Sequence, residues 1–122
     1  MSENDKIKTT SRKMESFGQY IRRLRTDKGF TLTELGAKLK VDSAGLSKIE
    51  TGYKKMKPET LLLVAEVFNL EIDKLKEQYY GEEIAMKLYK YNCPETALIV
   101  AEERMKYMKQ CSAKQGKLNF NS

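Results

Sequence analysis

The chain has 122 residues, with 23 Lys plus Arg against 17 Asp plus Glu, a net charge of +6 and no histidine. That length holds one domain, or a small domain plus an appendage, and no apolar run approaches the roughly 18 residues that a membrane span needs. The opening MSENDKIKTTSRKM lacks the apolar centre of a secretory signal, and the basic balance suits a polyanionic partner.

Residues 1–14 are polar, charged and without periodicity, and are expected to form a disordered arm. Ser16 opens a first helix through an S-x-x-Q capping box with Gln19. Phe17, Ile21 and Leu24 then share a stripe, and Gly29 ends the helix. Thr31 and Glu34 form a second capping box, and Leu32, Leu35 and Leu39 follow at helical spacing. Lys40-Val41 makes a turn. Asp42 is the N-cap of a third helix, Leu46 and Ile49 point it inward, and Gly52 stops it. Two helices joined by so tight a turn form a helix-turn-helix, whose second helix can enter a DNA major groove. A helical hairpin that never meets DNA has the same leucine spacing. From Lys38 to Lys57 six lysines face two acids, which fits a DNA-facing surface and equally a solvated face.

Pro58 suits the first position of a helix running to Phe68, which is apolar nearly all round and reads as the central core helix. A short fifth helix starts near Ile72, with Leu75 and Tyr79 inward. Gly81 reads as a boundary. Beyond it, residues 82–91 carry Ile84, Leu88 and Tyr91 on one face. Asn92-Cys93-Pro94 interrupts, and a longer amphipathic helix spans 95–110. Its stripe Leu98, Ala101, Met105 and Met108, broadened by Ile99 and Val100, is a dimer seam or an intramolecular lid. Two short helices need a further surface to bury their apolar faces, and a two-fold partner is the commonest solution. The expected layout is therefore an arm (1–14), a five-helix domain (15–80), a two-helix dimerisation extension (81–111) and a flexible tail (112–122), all-α throughout.

Catalytic chemistry has little to stand on. The chain shows no Gly-rich phosphate loop and no metal-ligand cluster, so no enzyme, metal or cofactor is expected. Cys93 and Cys111 alone cannot build a tetrahedral zinc site. They are expected as cytosolic thiols, with a disulfide as the alternative.

The stretch FGQYIRRLRTDKGFTLTELGAKLKVDSAGLSKIETGYKKMKPETLLLVAEVFNLEIDKL resembles the Xre/Cro-type helix-turn-helix family, a phage-repressor-like five-helix domain. The likeness covers residues 16–80 without a gap. It implies a cytoplasmic bacterial transcriptional regulator, a homodimer on a palindromic site in double-stranded DNA. By the same likeness Ser43, Ala44, Ser47 and Lys48 read bases. Thr33, Tyr53, Lys54, Lys55 and Lys57 meet phosphates, and Arg25 and Glu50 form an ion pair between the first helix and the end of the recognition helix. Departures are Leu32, where glutamine is common, Gly36 for alanine, Lys40 for glycine, and the short Ser43-Ala44-Gly45 at the start of the recognition helix, which permits close approach to a groove. The extension ALIVAEERMKYMK resembles segments of regulators that accompany restriction-modification methyltransferases. The competing reading is an antitoxin-like or scaffold module whose C-terminal helices hold a protein partner.

Overall fold

The structure is a computed structural model that describes residues 14–115. Among the described residues there are six helices and no strand: α1 (Phe17–Asp27), α2 (Leu32–Leu39), α3 (Ser43–Thr51), α4 (Thr60–Phe68), α5 (Ile72–Lys90) and α6 (Ala97–Gln115). The expected arm lies outside the described residues except for the exposed Met14, as does the tail beyond Gln115.

Side-chain caps set the first three starts. Ser16 Oγ accepts from the Gln19 N–H at 3.1 Å while Gln19 Oε1 accepts from the Ser16 N–H at 2.8 Å. Thr31 and Glu34 exchange the same two bonds at 3.0 and 2.8 Å. Asp42 Oδ1 accepts from the Gly45 N–H at 2.7 Å. Each cap contributes about 1 kcal/mol by satisfying donors the helix leaves open. Five ends turn through the left-handed region, at Gly29 (φ 75°), Lys40 (φ 61°), Gly52 (φ 88°), Asn69 (φ 55°) and Asn92 (φ 53°). Lys40 is the expensive one, because its Cβ crowds the following carbonyl; the position favours glycine for that reason.

Three boundaries differ from the sequence reading. Pro58 is not the first residue of α4. It lies in a turn closed by Thr60 N–H on Lys57 O and Leu61 N–H on Pro58 O, and the helix begins at Thr60. Gly81 does not break the chain: α5 runs 19 residues straight through it. A lone glycine costs a helix about 1 kcal/mol, which good helix formers on either side offset, so the fifth helix and the first extension helix are one. α6 continues to Gln115, so residues 112–115 are helical rather than tail.

The chain falls into two compact units that meet in sequence between Glu82 and Glu83. In the first, α1 packs on α3, and α2 packs on both α3 and α4. Ile21, Leu35, Leu39, Leu46, Leu61, Val64 and Leu75 are sealed in the core. α4 is less fully buried than its composition implies, since Leu62 faces water and Leu63 is half-buried. Two glycines allow the closest approaches. A Cβ on Gly18 would sit 2.2 Å from the Ile49 carbonyl oxygen, and one on Gly36 would sit 2.4 Å from the Val41 carbonyl oxygen. The first brings α1 against the last turn of α3, and the second tightens the α2–α3 turn, where Val41 N–H donates to Gly36 O at 2.9 Å.

The second unit comprises the end of α5 and α6. The turn after Lys90 is closed by Cys93 N–H on Leu88 O at 2.9 Å and Asn92 N–H on Tyr89 O at 3.1 Å, a left-handed helix stop. Most of its large apolar side chains are open to solvent. Of the three expected on one inward face, Ile84 and Tyr91 are exposed and Leu88 is half-buried.

The two kinds of glycine should respond oppositely to a methyl group. Nothing lies within 4 Å of a Cβ on Gly81, so Gly81→Ala should stabilise by about 0.5–1 kcal/mol. Gly18→Ala should cost about 1–3 kcal/mol through overpacking. Urea melts check both; a destabilising Gly81→Ala would mean that the helix does not pass through that residue.

Candidate nucleic-acid interface

α3 is nine residues long, too short to persist alone in water. It depends on what its inner face touches. Leu46, Ile49 and Glu50 are buried there, while Ser43, Ala44 and Lys48 are exposed and Ser47 is half-buried. Positions 43, 44, 47 and 48 lie three and four apart, so the structure gathers them on one outward surface. Gly45 does not belong to that surface. It is buried, and a Cβ on it would lie 2.7 Å from Asp42 Oδ1 and 3.2 Å from Val41 Cγ1. Its service is to seat the Asp42 cap rather than to approach a groove.

The orientation of α3 is set from α1. Arg25 Nε donates to Glu50 Oε2 at 2.7 Å and Arg25 Nη2 donates to Glu50 Oε1 at 3.0 Å, a two-toothed pair. Arg25 Nη1 donates to the Phe30 carbonyl at 3.0 Å. The two side chains are 13% and 4% exposed. The hydrogen bonds that Arg25 donates to Glu50, opposed by burial and helped by the Glu50 charge, raise the pKa of the Arg25 guanidinium above its ordinary value. One planar cation therefore ties α1, the turn before α2 and the last turn of α3.

After Gly52 the chain folds back on α3, with the Tyr53 and Lys54 N–H groups both donating to the Lys48 carbonyl at 2.9 and 3.2 Å. Tyr53, Lys54, Lys55 and Lys57 are exposed along this loop, and Thr33 is exposed on the first turn of α2. Met56, between the lysines, is 2% exposed and part of the core. The Tyr79 hydroxyl donates to its carbonyl, and the Lys55 ammonium stands 5.4 Å from the centre of the Tyr79 ring. Sequence reasoning missed Met56, although a lone methionine in a lysine run before proline is the signal for an anchored loop. It also missed that Glu82 Oε2 accepts from the Phe17 N–H at 3.1 Å, carrying an anion to the start of α1.

Residues 21–75 match the sequence profile of the helix-turn-helix family. That stretch is a helix-turn-helix domain of this family. Over 63 residues it is 36% identical to the HTH-type transcriptional repressor RghR of Bacillus subtilis strain 168. That match takes in 51% of this chain and 47% of RghR, so the chain spans about half the length of this relative. Among solved structures it is similar to the clp gene regulator ClgR from C. glutamicum (31% identity, 53% of this chain, 84% of that one, TM-score 0.45). It is similar also to SinR, the master regulator for biofilm formation, in complex with DNA (32% identity, 48% and 95%, TM-score 0.44). Within this helix-turn-helix, Leu32, at the position where the family often has glutamine, is half-buried against the core.

Outside the matched region, Leu98 and Met105 on α6 are 50% and 54% exposed, Ala101 is exposed and Met108 half-buried. Both cysteines are free. Among the described residues no group of three or more metal-binding side chains exists, and no helix is long and apolar enough to cross a membrane.

Removing one partner strands the other's charge in a mostly buried place. Arg25→Ala and Glu50→Ala should each cost about 2–3 kcal/mol, and the double variant markedly less than their sum. Denaturant melts of the three variants test this coupling; strict additivity would mean that the ion pair does not form in solution.

Proposed function

We propose that this chain is a transcriptional regulator that binds a specific double-stranded DNA sequence as a homodimer on a palindromic operator. The observation that carries the reading is the division of α3, with an apolar and ion-paired face locked to α1 and α2 and a polar face left open. Lys48 is the long donor on that face, suited to guanine O6 and N7, and Ser43 and Ser47 can pair with several bases. Ala44 suits a thymine methyl. Tyr53, Lys54, Lys55 and Lys57, with Thr33, would meet phosphates, which fix register without reading sequence. The description of RghR as a transcriptional repressor supports the same role for the matched half of the chain.

The homodimer is supported by the extension. Leu98, Ala101, Met105 and Met108 recur at helical spacing and stay largely open to water, as a seam awaiting a second copy would. A dimer places two recognition helices about one DNA turn, ~34 Å, apart. Control of a restriction-modification operon has only the resemblance of the extension behind it.

Selection from random duplexes followed by affinity measurements tests the proposal. Lys48→Ala should lose about 1–3 kcal/mol of discrimination between the selected site and random DNA, while Lys54→Ala should weaken both equally. Equal losses for Lys48→Ala would remove its base-reading role. Roughly eight phosphate contacts per dimer imply a log–log salt slope near −7; a flat dependence would contradict the phosphate contacts. Leu98→Asp in the full chain should give a monomer in sedimentation and lose the ~10²–10⁴ gain from linking two half-sites. A dimer that persists would move the seam off α6.

A further inference from the structure

Tyr79 lies on α5, outside the helix-turn-helix pair, and is 4% exposed. Its ring meets Phe17 of α1 edge-on at 5.2 Å and 85°. Its hydroxyl donates to the Met56 carbonyl, and the ammonium of Lys55, the residue before, stands over the same ring. One core side chain thus touches a main-chain oxygen and a cation of the lysine loop.

Further ties lie at the loop's ends. Tyr53 and Lys54 N–H bond to Lys48 O, and Thr60 N–H bonds to Lys57 O. Between these ends Met56 is held twice, by its side chain in the core and by its carbonyl on Tyr79. A buried tyrosine hydroxyl needs an acceptor, and here the acceptor belongs to the loop. Among the described residues no peptide bond is cis. In a trans peptide the N–H points opposite to the C=O, so the Met56 carbonyl, held by Tyr79, turns the Lys57 N–H away from it.

We infer that Tyr79 is the positioning residue of the phosphate loop. Its hydroxyl fixes the Met56–Lys57 peptide, and its ring holds Lys55 through a cation–π contact, so that the loop is ordered before DNA arrives and less ordering cost falls on binding. This role rests on the reading that the loop meets DNA phosphates. It differs from simple core packing, because it assigns the hydroxyl an effect on DNA affinity that the ring alone does not have.

The test is Tyr79→Phe in the full chain, which keeps the ring and removes only the hydroxyl. Amide hydrogen exchange without DNA reads the loop directly, and binding to the selected duplex and to random duplex over a salt series reads its consequence. Expected are faster exchange at Tyr53 and Lys54 relative to the amides of α4, and an affinity loss of about two- to tenfold, equal on both duplexes. The salt slope should become shallower by about 1 per subunit. Unchanged loop exchange overturns the inference, as does a loosened loop with unchanged affinity and slope, or a loss confined to the selected duplex. If the wild-type chain binds neither duplex, the DNA-binding reading fails and takes this role with it. That outcome is told apart by the wild-type arm alone.

Discussion

Glu50 sits at the end of a nine-residue helix with its carboxylate almost sealed from water, and Arg25 reaches it from α1 with both ends of its fork. Everything else about α3 depends on that joint. Taking two charges out of water costs several kcal/mol each, and the attraction between them does little more than return it. The pair's value is therefore geometric. A guanidinium bound by two parallel hydrogen bonds accepts few orientations, and its third donor is fixed on the Phe30 carbonyl. Gly18 lets α1 lie close enough for the joint to form, since any side chain there would strike the carbonyls of Ile49 and Glu50.

With the inner face committed, the outer face follows from helix periodicity. Leu46 and Ile49 in the core force positions 43, 44, 47 and 48 outward. The lysine loop continues that surface and is itself anchored from below, by Met56 and Tyr79. The outward surface of α3 and the lysine loop thus stand on supports drawn from α1, α2 and α5, as the proposed role on a stiff double helix requires. The extension is built differently. Among its described residues most large apolar side chains are open to water, which is the feature the proposed dimer seam explains.

Much of the first unit was legible because its signals are local. Ser16, Thr31 and Asp42 announce their caps three residues ahead, and the leucine spacing gives the buried faces directly. The sequence misled where a local signal was overruled by its neighbours. Gly81 resembles a helix stop but is carried by strong helix formers around it, and Pro58 fits a helix start but is used in a turn. Gly45 resembles an accommodation for DNA, yet the structure turns it toward Asp42. Tyr79 was legible as an inward residue, but its bond to Met56 and that of Glu82 to Phe17 were not, because the partners lie 23 and 65 residues apart in sequence, and nothing in a short window reveals such pairings. The open face of α3 was legible as a pattern, but the resemblance, not the spacing, attached base reading to it.

The central claim is that the outward surface of α3 meets DNA while α1 holds it in place. The most direct measurement is a backbone amide NMR titration of the full chain with its selected duplex. The account predicts the largest perturbations at Ser43, Ala44, Ser47 and Lys48, with a second group at residues 53–57 and little change at Ile21, Leu39 or Val64. Perturbations confined to α6, or spread evenly over the chain with the 43–48 amides unmoved, would contradict it.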